Sequence, residues 1–178
     1  EWMVGRKVML EVQKDPRQPG EAVLEVRDLV VRSRQTGKNR VDHVSFTVRA
    51  GEIVCIAGID GNGQSELVYT LCGLTPADSG TIRLRGRDIT RSTVRARGRQ
   101  GMSHIPEDRQ RYGLILDYSL AENLVLQSYF TPRFQRRGFL RFREIDRYAE
   151  KLIADYDIRS GQGGRTPARS MSGGNQQK

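Results

Sequence analysis

The chain has 178 residues, with thirty Lys and Arg against twenty-one Asp and Glu, which leaves a net charge of +9. This length suits one domain with short flanking arms. Its longest apolar run, residues 53–59, is far shorter than the roughly 20 residues that a membrane-spanning helix needs. The first residues also lack the pattern of a secretory signal, so composition predicts a soluble cytoplasmic protein of α/β type.

The cationic residues are mostly Arg and cluster at 83–99 and 133–147. Such clusters are found on nucleic-acid-binding surfaces, but they are more often a solvated face, and nucleic-acid binding is not predicted. Cys55 and Cys72 each lie among apolar neighbours. This placement predicts two buried free thiols in a reducing compartment.

The predicted strands follow from apolar alternation and turn residues. Residues 22–31 and 41–48 flank Gly37-Lys38-Asn39 and predict a hairpin. Residues 53–57 form a β-branched run bounded by glycines, which predicts a strand buried on both faces. Three further strands are predicted at Val8–Val12, 81–84 and 102–105. Residues 14–20, after the first of these, are predicted to be a linker.

Three segments predict helices. Residues 66–72 have an apolar helical face and end at Gly73. Ser119 and Glu122 have the spacing of a capping box, so a helix should begin there. A third helix is predicted by one apolar stripe along 145–156, formed by Ile145, Tyr148, Leu152, Ile153 and Tyr156.

A glycine-rich motif follows the predicted buried strand and opens the first helix. Gly58 and Gly63 have the spacing of a phosphate-binding loop, in which backbone N–H groups and the helix N-terminus surround phosphate oxygens. Ser65 is placed to offer its hydroxyl to Mg²⁺, but Gln64 stands where the motif has lysine. Glu66 stands where a dinucleotide fingerprint needs glycine, which argues against that reading. A glycine-rich turn without a ligand remains the alternative for this motif alone.

A second motif, Ser172-Gly173-Gly174-Asn175-Gln176-Gln177, resembles the signature of ATP-binding-cassette (ABC) ATPases, with Asn175 as a departure. Together with 61–67, the Pro-Glu-Asp-Arg stretch at 106–109 and the helix start at 119–124, it resembles the second cassette of the fused two-cassette ATPases of simple-sugar and nucleoside importers. The resemblance covers about 22–178. It implies that 1–21 are the tail of a preceding cassette and a linker.

The resemblance implies an incomplete α/β P-loop NTPase core, with an antiparallel β-subdomain and a helical signature subdomain at about 119–172. It implies ATP and Mg²⁺ as cofactors. The residues that would bind the nucleotide are Gly58, Asp60, Gly61, Asn62, Gly63, Gln64, Ser65 and Glu66. The residues that would face a nucleotide held by the partner cassette are Ser172, Gly173, Gly174 and Asn175. Ser65 and Glu107 would contact the metal, and Glu107 is the one candidate catalytic residue.

The implied partners are the first cassette of the same polypeptide and transmembrane permease subunits, at the inner face of the cell membrane. The intact protein would hydrolyse ATP to drive import. Gln64 cannot place a cation between phosphates, and 31–41 contain no aromatic residue to stack on adenine. The sequence also stops before the family's catalytic carboxylate, so the chain itself is expected to be inactive and to expose apolar surface. A nucleic-acid-associated ABC-type ATPase and a non-hydrolysing nucleotide-binding regulatory module remain alternatives.

Overall fold

The computed structural model describes residues 18–59 and 61–178, and the chain divides into two units after Gln100. The predicted strand Val8–Val12, most of the predicted linker and Asp60 lie outside the described residues. The strands are β1 Ala22–Arg32, β2 Asn39–Arg49, β3 Ser79–Leu84, β4 Arg87–Asp88, β5 Gln135–Arg136 and β6 Phe139–Leu140. The helices are α1 Gln64–Cys72, α2 Val94–Arg99, α3 Leu120–Val125, α4 Phe142–Asp155 and α5 Gly173–Gln177.

The first unit contains a four-stranded antiparallel sheet in the order β2-β1-β3-β4. The β1–β2 turn is closed by a hydrogen bond from the Ser33 N–H to the Lys38 carbonyl (2.9 Å). The hairpin and the strand at 81–84 are therefore confirmed. Apolar residues of these strands, together with Ile89 just after β4, form the buried core of this unit. The buried members include Val26, Leu29, Val31, Val41, Ile82 and Ile89.

Two predicted strands are wrong. Residues 53–57 belong to neither sheet, and Ile53 is 90% exposed. Residues 102–105 are likewise irregular, and Ile105 is 92% exposed. A strand needs a neighbour to bond its N–H and C=O groups, and neither described sheet provides one. The apolar surface expected from the sequence is thus present at both segments.

The prediction of two buried thiols is half wrong. Cys55 is exposed, because it lies in the irregular segment that was predicted as a buried strand. Cys72 is partly buried, and burial raises the pKa of its thiol, which the nearby Arg97 charge opposes. Both cysteines are free, as the sequence predicts.

The second unit is built around α3 and α4. Ala121 and Val125 of α3 pack with Phe134 and with Ile145 and Ala149 of α4. The helices that the sequence places at these positions are confirmed. Tyr156 is wrongly included in the apolar stripe, because α4 ends at Asp155 and Tyr156 is 57% exposed.

The predicted capping box at the start of α3 is present. The Ser119 Oγ accepts from the Glu122 N–H (3.3 Å), and the Glu122 Oε2 accepts from the Ser119 N–H (2.8 Å). We expect Ser119→Ala to lower the free energy of unfolding by about 1 kcal/mol, since it leaves a helix N–H without an acceptor. Urea unfolding of the variant and the parent measures this difference.

The same box gives a pH dependence. Hydrogen bonds from the Ser119 side chain and backbone hold the pKa of the Glu122 carboxyl below its ordinary value. A lowered folded-state pKa stabilises the fold above the unfolded pKa, and this stabilisation is lost as pH falls through the folded pKa. The stability difference between the parent and Glu122→Gln should therefore shrink as pH falls below about 4.5. A difference that stays constant across this range would contradict the assignment.

Within the described residues, every helix is too short or too polar to cross a bilayer.

Candidate nucleotide-binding site

The glycine-rich loop ends in two left-handed glycines and turns directly into α1. Gly61 has φ +83° and Gly63 has φ +96°, and Gly63 is the N-terminal cap of the helix. The N–H groups of Gly63, Gln64 and Ser65 donate to no acceptor among the described residues. Three consecutive free donors at a helix N-terminus are suited to phosphate oxygens.

Gln64 lies folded back over the loop. Its Nε2 donates to the Ile59 carbonyl (3.2 Å) and lies only 2.0 Å from where a Cβ on Gly58 would stand. Gly58 therefore leaves room for this side chain. At the position where the motif has a lysine, the loop therefore has a neutral side chain that is hydrogen-bonded within the loop.

A cation approaches the loop from another element. Arg40, the second residue of β2, directs its Nη1 to the Gly61 carbonyl (3.3 Å). Its Nε lies 3.9 Å from the Glu66 Oε1. The sequence analysis missed Arg40, because it lies 21 residues before Gly61 and only the packing of β2 against the start of α1 brings it to the loop. The only sequence signal for this contact is the presence of an Arg at the start of β2, the strand that precedes the loop.

Arg40, Asn62, Gly63 and Gln64 border an open groove of about 680 Å³. One side is formed by β2, and the other by 54–58 and the start of α1. Free N–H groups at one end and an adjacent guanidinium fit the polyphosphate of a nucleotide. The described residues of the loop therefore fit the ATP that the resemblance implies.

The signature motif opens a short helix in the second unit. Ser172 is the N-terminal cap of α5, and Asn175 donates from its Nδ2 to the Ser172 Oγ (3.0 Å). Asn175 also accepts from the Arg159 N–H (3.0 Å), so its side chain is fixed at both ends. Gly173 and Gly174 are exposed. The backbone at this helix start is thus open to solvent.

Glu107 is exposed in the second unit, beside Asp108. The Asp108 carboxylate caps the turn Arg109–Gly113 by accepting from the Gln110 and Arg111 N–H groups (both 3.0 Å). Asp108 therefore has a structural role that the sequence analysis did not assign. In the described part of the chain, no three His, Cys, Asp or Glu side chains converge on a metal position. The Mg²⁺ contacts assigned to Ser65 and Glu107 remain predictions.

A family model for the ABC transporter matches residues 41–178. The chain belongs to the ABC transporter family. The match begins in β2, two residues after its first, and includes both the glycine-rich loop and the signature helix. The family implies a nucleotide-binding ATPase domain, and the loop geometry agrees with it.

Two curated relatives of this ABC chain are similar along its whole length. It is 47% identical over 178 residues to the nucleoside import ATP-binding protein NupA of Lactococcus lactis, covering 100% of the chain and 35% of that protein. It is 45% identical over 176 residues to the guanosine import ATP-binding protein NupO of Bacillus subtilis, covering 99% of the chain and 34% of that protein. The chain thus spans about a third of the length of these relatives.

Solved structures support the fold of this ABC chain. It aligns with the ATP-binding cassette MJ1267 at a TM-score of 0.69 and 21% identity, over 88% of the chain and 61% of that structure. A nucleotide-free ATP-binding cassette from an ABC transporter aligns at a TM-score of 0.67 and 19% identity, over the same shares. The predicted α/β ABC ATPase fold, with its antiparallel sheet and helices, is confirmed.

Proposed function

We propose that this chain is part of the second ATP-binding cassette of a fused two-cassette ATPase that energises import of nucleosides or simple sugars. ATP hydrolysis by the whole protein drives transport through membrane permease subunits, and the ATPase lies at the cytoplasmic face of the membrane. Residues 1–21 are the tail of the first cassette and a linker, and about 119–172 are the helical subdomain.

The substrate class rests on the relatives. The two proteins at 47% and 45% identity are named for nucleoside and guanosine import. A ribose import ATP-binding protein of Rhodococcus jostii is 36% identical over 99% of the chain and 33% of its own length. Identity is higher to the nucleoside importers, which favours a nucleoside.

The glycine-rich loop and the signature motif serve two different nucleotides. The loop at 58–65 binds the phosphates of one ATP, with Ser65 and Glu107 as contacts of its Mg²⁺. Ser172, Gly173, Gly174 and Asn175 face the ATP held by the first cassette. The free N–H groups of the loop and the exposed helix start of α5 support this division.

The loop of this cassette is a weak site that does not hydrolyse ATP. A charged hydrogen bond contributes on the order of 1.5–3 kcal/mol, which corresponds to roughly 10- to 150-fold in affinity. Gln64 lacks that charge, and its amide is already bonded to the Ile59 carbonyl. Of the two nucleotide sites, the one that hydrolyses ATP is then the site on the first cassette, which the signature motif of this chain completes.

The test is an ATP titration of the polypeptide, followed by amide hydrogen exchange of peptides from 58–67. MgATP should slow exchange of these peptides, because phosphates occupy their free N–H groups. Gln64→Lys should lower the half-saturating ATP concentration by about tenfold. ATP turnover by the unmodified 178-residue chain should be undetectable.

Gln64→Leu is the matched control. It removes the bond to the Ile59 carbonyl without adding a charge, so it separates loop rearrangement from charge. Equal gains from Lys and Leu would contradict the charge argument. Robust hydrolysis by the unmodified chain would overturn the proposal of a non-hydrolysing site.

A further inference from the structure

We propose that Arg40 supplies the positive charge for the nucleotide phosphates that this phosphate loop lacks at Gln64. The inference rests on the proposed function, since it names a binding residue of the same site. It adds Arg40, a residue of β2, to a binding site that the glycine-rich motif alone does not reveal.

Arg40 is fixed against the loop by its backbone. A Cβ on Gly63 would stand 2.0 Å from the Arg40 carbonyl oxygen, so the strand and the helix cap are in close backbone approach. The Arg40 side chain therefore extends from a fixed backbone position next to the free N–H groups. A long side chain on an unanchored segment would have no such constraint.

The protein contacts of the guanidinium leave most of its donors available. Its Nη1 donates to the Gly61 carbonyl at 3.3 Å, and its Nε is 3.9 Å from the Glu66 Oε1, which is too long for a hydrogen bond. A guanidinium has five N–H donors, and the Arg40 side chain is 45% exposed. The remaining donors are free for an anion in the groove.

Arg40 also has no competitor in the groove. Among the described residues that line it, Arg40 is the only Lys or Arg. Glu66 and Asp42 bring negative charge to the same region. Without Arg40, a polyphosphate bound at this loop would lie near the Asp42 carboxylate of the lining and the adjacent Glu66, with no Lys or Arg among the described lining residues. Arginine suits phosphate because its planar fork can donate two parallel hydrogen bonds.

The experiment compares Arg40→Gln with a matched control, Arg49→Gln. Arg49 is on the same strand, about 30 Å further along, and its Nη1 also makes one long bond to a carbonyl, that of Gly20 (3.4 Å). ATP, ADP and AMP are titrated separately against the full polypeptide, and exchange of peptides from 58–67 reports occupancy. Arg40→Gln should raise the half-saturating concentration of ATP and ADP about tenfold. AMP, with one phosphate, should change less than twofold, and Arg49→Gln should change none of the three.

A double substitution tests whether Arg40 and a lysine introduced at position 64 act on the same phosphate charge. Gln64→Lys should restore more affinity for ATP in the Arg40→Gln background than it adds to the parent. Equal ATP affinity of Arg40→Gln and Arg49→Gln would overturn the inference and leave the proposed function standing. An equal loss for AMP and ATP would assign Arg40 to the base or sugar and overturn the phosphate contact. Absence of protection of the parent loop at any ATP concentration would overturn both proposals.

Discussion

Gly63→Ala is expected to abolish ATP-dependent protection of the glycine-rich loop. Gly63 has φ +96°, a conformation that costs an L-residue about 1–2 kcal/mol, and an added Cβ would stand 2.0 Å from the Arg40 carbonyl oxygen. The neighbouring atom is backbone of β2, so it cannot move aside as a side-chain end would. Either β2 or the start of α1 must shift, and both form the groove.

The magnitude follows from these two costs together. We expect Gly63→Ala to lower the free energy of unfolding by about 3 kcal/mol and to weaken ATP binding at this loop beyond about 100-fold. Urea unfolding measures the first quantity. Hydrogen exchange of peptides from 58–67 with and without ATP measures the second.

Gly61→Ala is the control for conformation alone. Gly61 has a similar φ of +83°, but an added Cβ would meet no atom within 4 Å. This variant should lose only about 1 kcal/mol of stability and keep most of its ATP protection. Equal behaviour of the two variants would show that close approach to Arg40 is unimportant, contrary to the geometry.

The features predicted correctly from the sequence are those that depend on residues close together in the chain. Ser119 and Glu122 satisfy each other three residues apart, and this pairing fixes a helix start without any distant partner. The hairpin of β1 and β2 follows from alternation around a short glycine-containing turn. The end of α1 at Gly73, with φ +82°, has the same local origin.

The errors concern features that depend on a neighbour in space. Residues 53–57 have the composition of a buried strand, yet composition cannot supply the strand beside it, and the segment lies open with Cys55 exposed. Arg40 was missed for the complementary reason. Its contact with the loop is produced by the packing of β2 against the start of α1 and leaves no trace in the motif itself.

Arg97 is a buried cation that the sequence analysis assigned to a solvated cluster. Arg97 is 2% exposed, and it has no carboxylate partner among the described residues. It donates instead to backbone carbonyls, those of Thr70 (2.7 Å) and Leu71 at the end of α1 and those of Ser92 (3.1 Å) and Thr90 (2.9 Å). The negative end of the α1 dipole offsets part of the cost of burying the charge.

Burial lowers the pKa of Arg97, and the nearby Cys72 opposes this shift. The group nevertheless stays charged, because guanidinium does not deprotonate at ordinary pH. Arg97 therefore secures the end of α1 that lies opposite the glycine-rich loop. Its removal should affect the helix that presents the loop's N–H groups.

Arg97→Met is expected to lower the free energy of unfolding by about 3 kcal/mol, because one buried and three partly buried carbonyls lose their donor while the new side chain bonds to none of them. Arg97→Lys keeps the charge but not the planar fork, so it should recover only part of this loss. Arg91→Met, at an exposed position just before α2, should change stability by less than about 0.5 kcal/mol. Urea unfolding gives the three values, and hydrogen exchange of peptides from 66–74 shows whether α1 loosens from its C-terminal end. An Arg97→Met protein as stable as Arg91→Met would mean that water replaces the guanidinium at these carbonyls, and the anchoring of the loop helix would then lie elsewhere.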